Sequence, residues 1–188
     1  MTLFAEPTTE DLLRQVDDLR REVAELRERT PEDRAAIVVF SGELDRLLAS
    51  LVLATGAAAA GLETTMFFTF WGLSALKKKG ASTVSEKSLK EKMFAIMTPG
   101  STESMGVSKL NFFGVGAKML RTMMKEKNVS SVEEMMDLAR ELGVKMIACT
   151  MSMDVMGVER EQLADDVELG GVAAFMAEAS RARVSLFV

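Results

Sequence analysis

One sulfur nucleophile and no imidazole define the chemistry open to this chain. Among its 188 residues Cys149 is the only cysteine, and histidine is absent. Ser-His-Asp and Cys-His catalysis, histidine metal sites and a histidine pH switch are therefore excluded. A single thiol cannot build an internal disulfide framework, a CxxC redox pair or a multi-cysteine zinc site, and it fits a reducing compartment. What remains is chemistry by carboxylates, lysines, hydroxyls or that one sulfur. Cys149 lies at the carboxyl end of a predicted strand, residues 145–150 (KMIACT), with CTMSMDVMG running on from it. If a helix starts at Met151, its first N–H groups and its dipole would favour the thiolate and lower the thiol pKa, whereas an inward-pointing Asp154 would oppose this. The alternative is an inert thiol, packed as a small hydrophobe.

Other patterns carry less. Met151, Met153 and Met156 surround the cysteine in a chain with 15 methionines. Thiolate and thioethers form a soft set suited to Cu(I), but methionine also fills irregular cores, and a strand-to-helix segment sends neighbours to different faces. No metal and no cofactor is expected. Gly114-Val115-Gly116 lacks a preceding strand and a third glycine, and residues 98–106 lack the Lys-Ser/Thr ending of a phosphate loop, which argues against NTP hydrolysis. The pairs Glu133-Glu134 and Asp165-Asp166 read as helix-end charges on a solvated surface.

These residues must be positioned by a folded domain. At this length roughly 70% of the unfolded surface can be buried, and 48% apolar with 27% charged residues is the composition of a folded protein. The net charge of −5 argues against a nucleic-acid partner. It hides a basic block: residues 77–127 hold eleven Lys and Arg against four Asp and Glu. That block reads as a solvated lysine-rich face, or as a docking surface for an acidic partner or anionic ligand. The N-terminal residues lack the order of a signal peptide, so secretion is not expected. Residues 47–76 carry Glu63 as their only charge. Each apolar half falls short of the ~20 residues that span a bilayer, so a buried helix and strand are expected rather than a membrane segment.

Along the chain, Leu12, Val16, Leu19, Val23 and Leu26 alternate by four and three residues between positions 9 and 29, a heptad seam with Thr9 as N-cap and Thr30-Pro31 as its stop. Two and a half heptads are too short to stand alone, so the seam pairs with its own copy in an oligomer or folds back on the domain. Residues 1–34 thus form a helix and linker, and the domain runs from 35 to 188. Within it, 36–40 (AIVVF) and 64–70 (TTMFFTF) read as buried strands around a helix at 43–60, a right-handed βαβ unit. A lysine-rich insertion follows at 77–92, and 93–97 form a short element closed by Thr98-Pro99-Gly100. Helices are expected at 114–127, with Val115, Met119, Leu120 and Met123 on one face, and at 131–142, opened by a Ser131-x-x-Glu134 capping box and stopped by Gly143. After the 145–150 strand come a helical or turn segment (152–163), a short strand (167–169), a helix from Gly170-Gly171 to Ser180 and a last strand (184–188). The expected fold is a three-layer α/β/α sandwich with a mainly parallel sheet of about five strands, preceded by the heptad helix. In such sheets chemistry gathers at the carboxyl ends of strands, where Ser41-Gly42, residues 69–72 and Cys149-Thr150 all fall.

Four blocks together carry a resemblance: residues 38–73 (VVFSGELDRLLASLVLATGAAAAGLETTMFFTFWGL), 108–119 (SKLNFFGVGAKM), 148–157 (ACTMSMDVMG) and 167–179 (VELGGVAAFMAEA). In this order they resemble the DsrE/DsrF/DsrH-like superfamily, in the branch with a C-x-M-S-M-D-V-M-G cysteine motif. The resemblance covers residues 35–188. It implies a cytoplasmic, homo-oligomeric α/β sandwich in sulfur trafficking, with sulfane sulfur held as a persulfide on Cys149. The implied partners are small sulfur carrier proteins or rhodanese-like donors, with the chain acting as a carrier or as a sulfurtransferase. Around Cys149, Ser152 and Lys109 are the candidates for stabilising the thiolate; Ser41, Gly42, Trp71, Asn111 and Thr150 complete the supporting set. The competing classes are a non-catalytic oligomeric module that binds a small anion or nucleotide, and a thiol peroxidase resolved by a thiol from another molecule.

Overall fold

The computed structural model describes residues 8–78, 105–107 and 115–188. The chain divides after Glu32 into two units. The first is helix α1 (Thr9–Arg29). Its N-cap is Thr8, one residue before the expected Thr9, because a capping box needs its acid three residues on: the Thr8 hydroxyl accepts the Asp11 N–H at 3.2 Å, and the Asp11 carboxylate accepts the Thr8 N–H at 3.2 Å.

The second unit is an α/β sandwich. Its elements are β1 (Glu32–Val39), α2 (Leu44–Ala59), β2 (Glu63–Phe68), a 3-10 turn (Phe70–Leu76), α3 (Val115–Glu126), α4 (Val132–Glu141), β3 (Lys145–Cys149), α5 (Thr150–Met156), a 3-10 turn (Arg160–Gln162), β4 (Glu168–Gly170), α6 (Val172–Ala179) and β5 (Ala182–Phe187). The strands form one sheet in the order β4-β3-β2-β1-β5. Parallel registers join Val38 to Phe67, Phe68 to Ala148 and Cys149 to Gly170. Just past β5, the Val188 N–H donates to the Val38 carbonyl, and the Phe40 N–H donates to the Val188 carbonyl, the pattern of a parallel pair.

Period-two alternation sorts the strand residues onto two faces. Ile37, Val39, Met66, Phe68, Met146 and Ala148 enter a large core with Leu44, Leu47 and Leu51 of α2, Ala117 of α3 and Met136 and Ala139 of α4. Ala36, Phe67, Ile147 and Cys149 face the other way and meet Phe175 of α6 in a small cluster. The apolar stretch 47–76 forms most of α2, with Leu47, Leu51 and Ala54 buried and Val52 and Leu53 exposed, then β2 and the turn after it, and among the described residues no helix is long and apolar enough to cross a membrane.

Several boundaries depart from the sequence pattern. β1 begins four residues early, at Glu32, because pairing continues to Arg34 opposite Glu63, where the guanidinium meets Glu63 at 3.0 Å and Glu178 at 2.6 Å. β2 ends at Phe68 rather than running to 70, because the chain bends back over the end of β1: the Gly72 N–H donates to the Phe40 carbonyl, and a Cβ on Gly72 would collide with the Val39 carbonyl. In α3 the buried positions are Ala117 and Met124, with Leu120 half-buried, whereas Val115, Met119 and Met123 are exposed. Four of these expectations therefore reduce to Leu120, because the turn-by-turn contact with the core runs through 117, 120 and 124. The short element expected at 93–97 and most of the lysine-rich insertion lie outside the described residues.

The start of that insertion is tied down. The Lys78 N–H donates to the Gln162 carbonyl, and the Lys78 ammonium meets Asp165 at 2.7 Å. This hydrogen bond, then the charge of Lys78 itself, lowers the Asp165 carboxyl below its ordinary pKa. A depressed folded-state value means that the tie is intact above the ordinary aspartate pKa and is lost as the pH falls through the lowered one. An NMR titration of Asp165 is expected to show a midpoint below 3.8 that returns toward 3.8 in Lys78→Met.

Candidate functional site

All five strands run the same way, so their carboxyl ends share one edge. Cys149 is the last residue of β3 and the N-cap of α5, with φ −70° and ψ 112°. Strand alternation sends its side chain to the α6 face, beside Ala36, Phe67, Ile147 and Phe175. There the thiol is closed over: Cys149 is only 3% exposed. The cover is α6, held by a stacked Phe175–Phe67 pair with ring centres 4.9 Å apart. At the opposite end of α6, Glu178 is anchored by Arg34. Close to Cys149, however, Val172 is largely exposed, and Phe175 is the only buried residue of the helix.

Glycine makes this closeness possible. Gly170 stands opposite Cys149 in the sheet, and a Cβ there would lie 2.8 Å from Ile147 Cγ2 and 3.3 Å from Ala174 Cβ. Next along, Gly171 is the N-cap of α6, and its Cβ position lies 4.0 Å from the Thr150 hydroxyl. The starts of α5 and α6 thus adjoin at Cys149, and neither has a side-chain cap. Helix starts of this kind present N–H groups without intrahelical partners, an environment that favours an anionic group. Asp154, which would have opposed this from inside, is exposed.

The remaining candidates form a second group at the end of β1. Ser41, Gly42 and Trp71 line a cleft of about 530 Å³ together with Phe40, Glu43, Arg46, Gly106 and Val107. The Ser41 hydroxyl accepts the Glu43 N–H and donates to the Glu43 carboxylate, both at 3.1 Å, and Glu43 in turn holds Arg46 at 3.0 Å. Gly42 packs on the Trp71 backbone, where a Cβ would come within 2.7 Å of the carbonyl oxygen. Phe70 sits in the left-handed region at φ 46°, an uncommon conformation for a bulky side chain, and its ring meets Phe40 at 5.6 Å. Lys109 and Asn111 lie outside the described residues. Among the described residues no cluster of three or more His, Cys, Asp and Glu side chains could hold a metal ion.

Thr69 links the two groups; the sequence places its segment, residues 69–72, at this edge without naming Thr69 itself among the supporting residues. Its N–H donates to the Val39 carbonyl at the end of β1, and its hydroxyl shares a 2.7 Å hydrogen bond with Ser152 in the first turn of α5. Both side chains are buried. The Ser152 hydroxyl, a candidate for stabilising the thiolate, thus shares a buried hydrogen bond with Thr69. A hydroxyl residue directly after an apolar strand was the available signal, since a buried hydroxyl needs a partner. Thr69→Val leaves Ser152 without that partner and is expected to cost about 1–3 kcal/mol in urea unfolding. It is also expected to change the rate at which Cys149 reacts with a small alkylating agent in the folded protein, while Thr69→Ser, which keeps the hydroxyl, leaves that rate at the wild-type value.

Comparison with known proteins places this arrangement. Residues 31–187 match the model of the DsrE/DsrF/DrsH-like family. The Bacillus subtilis protein YrkE is 44% identical over 155 residues, covering 82% of this chain and 96% of its own. The sulfur carrier protein DsrE2 of Allochromatium vinosum is 34% identical over 166 residues, covering 84% of this chain and 99% of its own. The crystal structure of the YchN protein from E. coli shares the fold at 14% identity, with a TM-score of 0.51 over 82% of this chain and 98% of that one. The chain belongs to the DsrE/DsrF/DrsH-like family.

Proposed function

We propose that this protein is a cytoplasmic, homo-oligomeric sulfur carrier that holds sulfane sulfur as a persulfide on Cys149 and passes it to a partner thiol. The observation that carries this reading is the place of the only thiol: the carboxyl edge of a parallel sheet, where the uncapped starts of two helices adjoin. The 34% identity to a protein named as a sulfur carrier supports it.

The chemistry balances without an outside oxidant. The Cys149 thiolate attacks the outer sulfur of a donor persulfide; a new S–S bond forms on Cys149, the donor S–S bond breaks, and the donor leaves as a thiolate. In the second half an acceptor thiolate attacks the same outer sulfur, and Cys149 departs with the electron pair of the bond it loses. Cys149 is nucleophile first and leaving group second, so no imidazole is required. With one cysteine in the chain, both other thiols come from partners, which we assign to small sulfur carrier proteins or rhodanese-like donors. The buried sulfur must be uncovered for either step, and α6, held over it by Phe175, is the element that moves.

Incubation with polysulfide, read by intact mass, is expected to add sulfur to the wild-type chain and none to Cys149→Ser. A wild-type chain that gains no sulfur overturns the carrier reading. Phe175→Ala is expected to raise the alkylation rate of Cys149 by at least tenfold in the folded protein; an unchanged rate removes α6 as the cover. The cleft beside Trp71 and Arg46 favours a second reading, a module that binds a small anion or nucleotide. A ligand that copurifies equally with wild type and Cys149→Ser, with no sulfur uptake by either, would establish that reading in its place.

A further inference from the structure

Nothing within its own unit covers the seam of helix α1: Leu12, Val16, Leu19, Val23 and Leu26 are each 43–59% exposed. A lone helix of 21 residues is marginal in water, and an amphipathic one gains its stability by covering its apolar stripe. The question is what covers this one, and three observations answer it.

The first is the distribution of side-chain shapes. The spacing four, three, four, three makes Leu12, Leu19 and Leu26 the d positions of a heptad and Val16 and Val23 the a positions, with the β-branched Thr9 one heptad before Val16. β-branched residues at a with leucine at d are the choice that favours two parallel strands. The second is a ready-made hole. Val16, Leu19, Arg20 and Val23, with Ala24 at its rim, enclose a surface groove of about 370 Å³. An a, d, e and following a residue are the four that receive a partner's knob in a coiled coil. The third is charge. The e flank of the seam holds Leu13, Arg20 and Arg27 and the g flank Gln15, Glu22 and Arg29. Parallel pairing lays the g flank of one helix along the e flank of its partner, which sets Glu22 against Arg27 of the second copy, whereas antiparallel pairing sets the flank of Arg20 and Arg27 against itself. Asp17 and Asp18, which meet Arg20 at 3.9 Å and Arg21 at 3.1 Å, occupy b and c, so the acids of these pairs stand off the seam.

We infer that α1 is a self-recognition element that pairs in parallel with α1 of a second copy of this chain. This deepens the homo-oligomer reading and does not depend on the persulfide chemistry. The capping box at Thr8 and Asp11 fixes where the helix begins, so two identical helices start in register.

Disulfide cross-linking of the full chain tests it, in a Cys149→Ser background so that only introduced thiols react. Leu12→Cys alone and Leu26→Cys alone are each expected to form a disulfide-linked dimer under mild oxidation, at least tenfold faster than the same chains carrying Leu19→Asp. A mixture of the two is expected to give like-with-like dimers in excess of the 12-to-26 product. Predominance of the 12-to-26 product overturns the parallel orientation. Cross-linking no faster than in the Leu19→Asp controls overturns self-recognition through the seam. Sedimentation of the wild-type chain as a monomer at the cross-linking concentration overturns the homo-oligomer reading and this inference together, while sulfur uptake by Cys149 is read separately and stands or falls alone.

Discussion

A parallel sheet has to be covered on both faces, and in this protein the two covers are unequal. One face is buried under α2, α3 and α4, with leucines, methionines and Phe68 interlocked in a single large core. Among the described residues the other carries four buried strand residues under an eight-residue helix that adds Phe175. Because strand side chains alternate, the face Cys149 occupies follows from its position: Ala148 enters the large core, so its neighbour Cys149 enters the small one. The thick core supplies the rigidity of the edge. On the thin side α6 is fastened by Phe175 near its middle and by the Arg34–Glu178 pair at the far, amino edge of the sheet.

The carboxyl edge is built by close backbone approach. Gly42 lies on the Trp71 carbonyl, Gly72 on the Val39 carbonyl, and Gly170 on Ile147 and Ala174, and at each a methyl group would meet an atom that is already there. Between them Phe70 adopts a left-handed backbone that carries the chain away from β2 and over β1. Thr69 sits at this junction, with its backbone on β1 and its hydroxyl on α5. One residue therefore couples the cleft at Trp71 to the helix that begins beside the thiol.

Much of this was legible in the sequence, for identifiable reasons. The run AIVVF, the alternation of strand and helix, the Ser131-x-x-Glu134 box and the place of Cys149 at a strand end all rest on local signals that tertiary packing reinforces. What escaped depends on contacts distant in the chain. TTMFFTF has strand composition through Phe70, and only the end of β1, thirty residues earlier, makes it turn after Phe68. The exposed side of α3 reads as apolar because Val115, Met119 and Met123 share a helical face, yet the core touches the neighbouring stripe. Ser152 stands out in sequence only as a neighbour of Cys149, while its hydrogen bond reaches Thr69, 83 residues away. Of the candidate set, Ser41, Gly42 and Trp71 gather at one cleft and Cys149, Thr150 and Ser152 at one turn.

On the proposed carrier reading, the burial of Cys149 bears on how a single thiol keeps its cargo. A persulfide is exposed to any thiolate that reaches its outer sulfur, and a chain with no second cysteine cannot resolve it internally. Protection must then come from exclusion, which the packing of Phe67, Ile147 and Phe175 around the thiol would provide. On the proposed reading the same enclosure makes discharge selective, because an acceptor has to engage the carboxyl edge and displace the near end of α6 before its thiol arrives. For such a carrier the cover selects which partners exchange with Cys149, while the net direction follows from the relative stabilities of their persulfides, since donor and acceptor steps are the same exchange run in opposite senses.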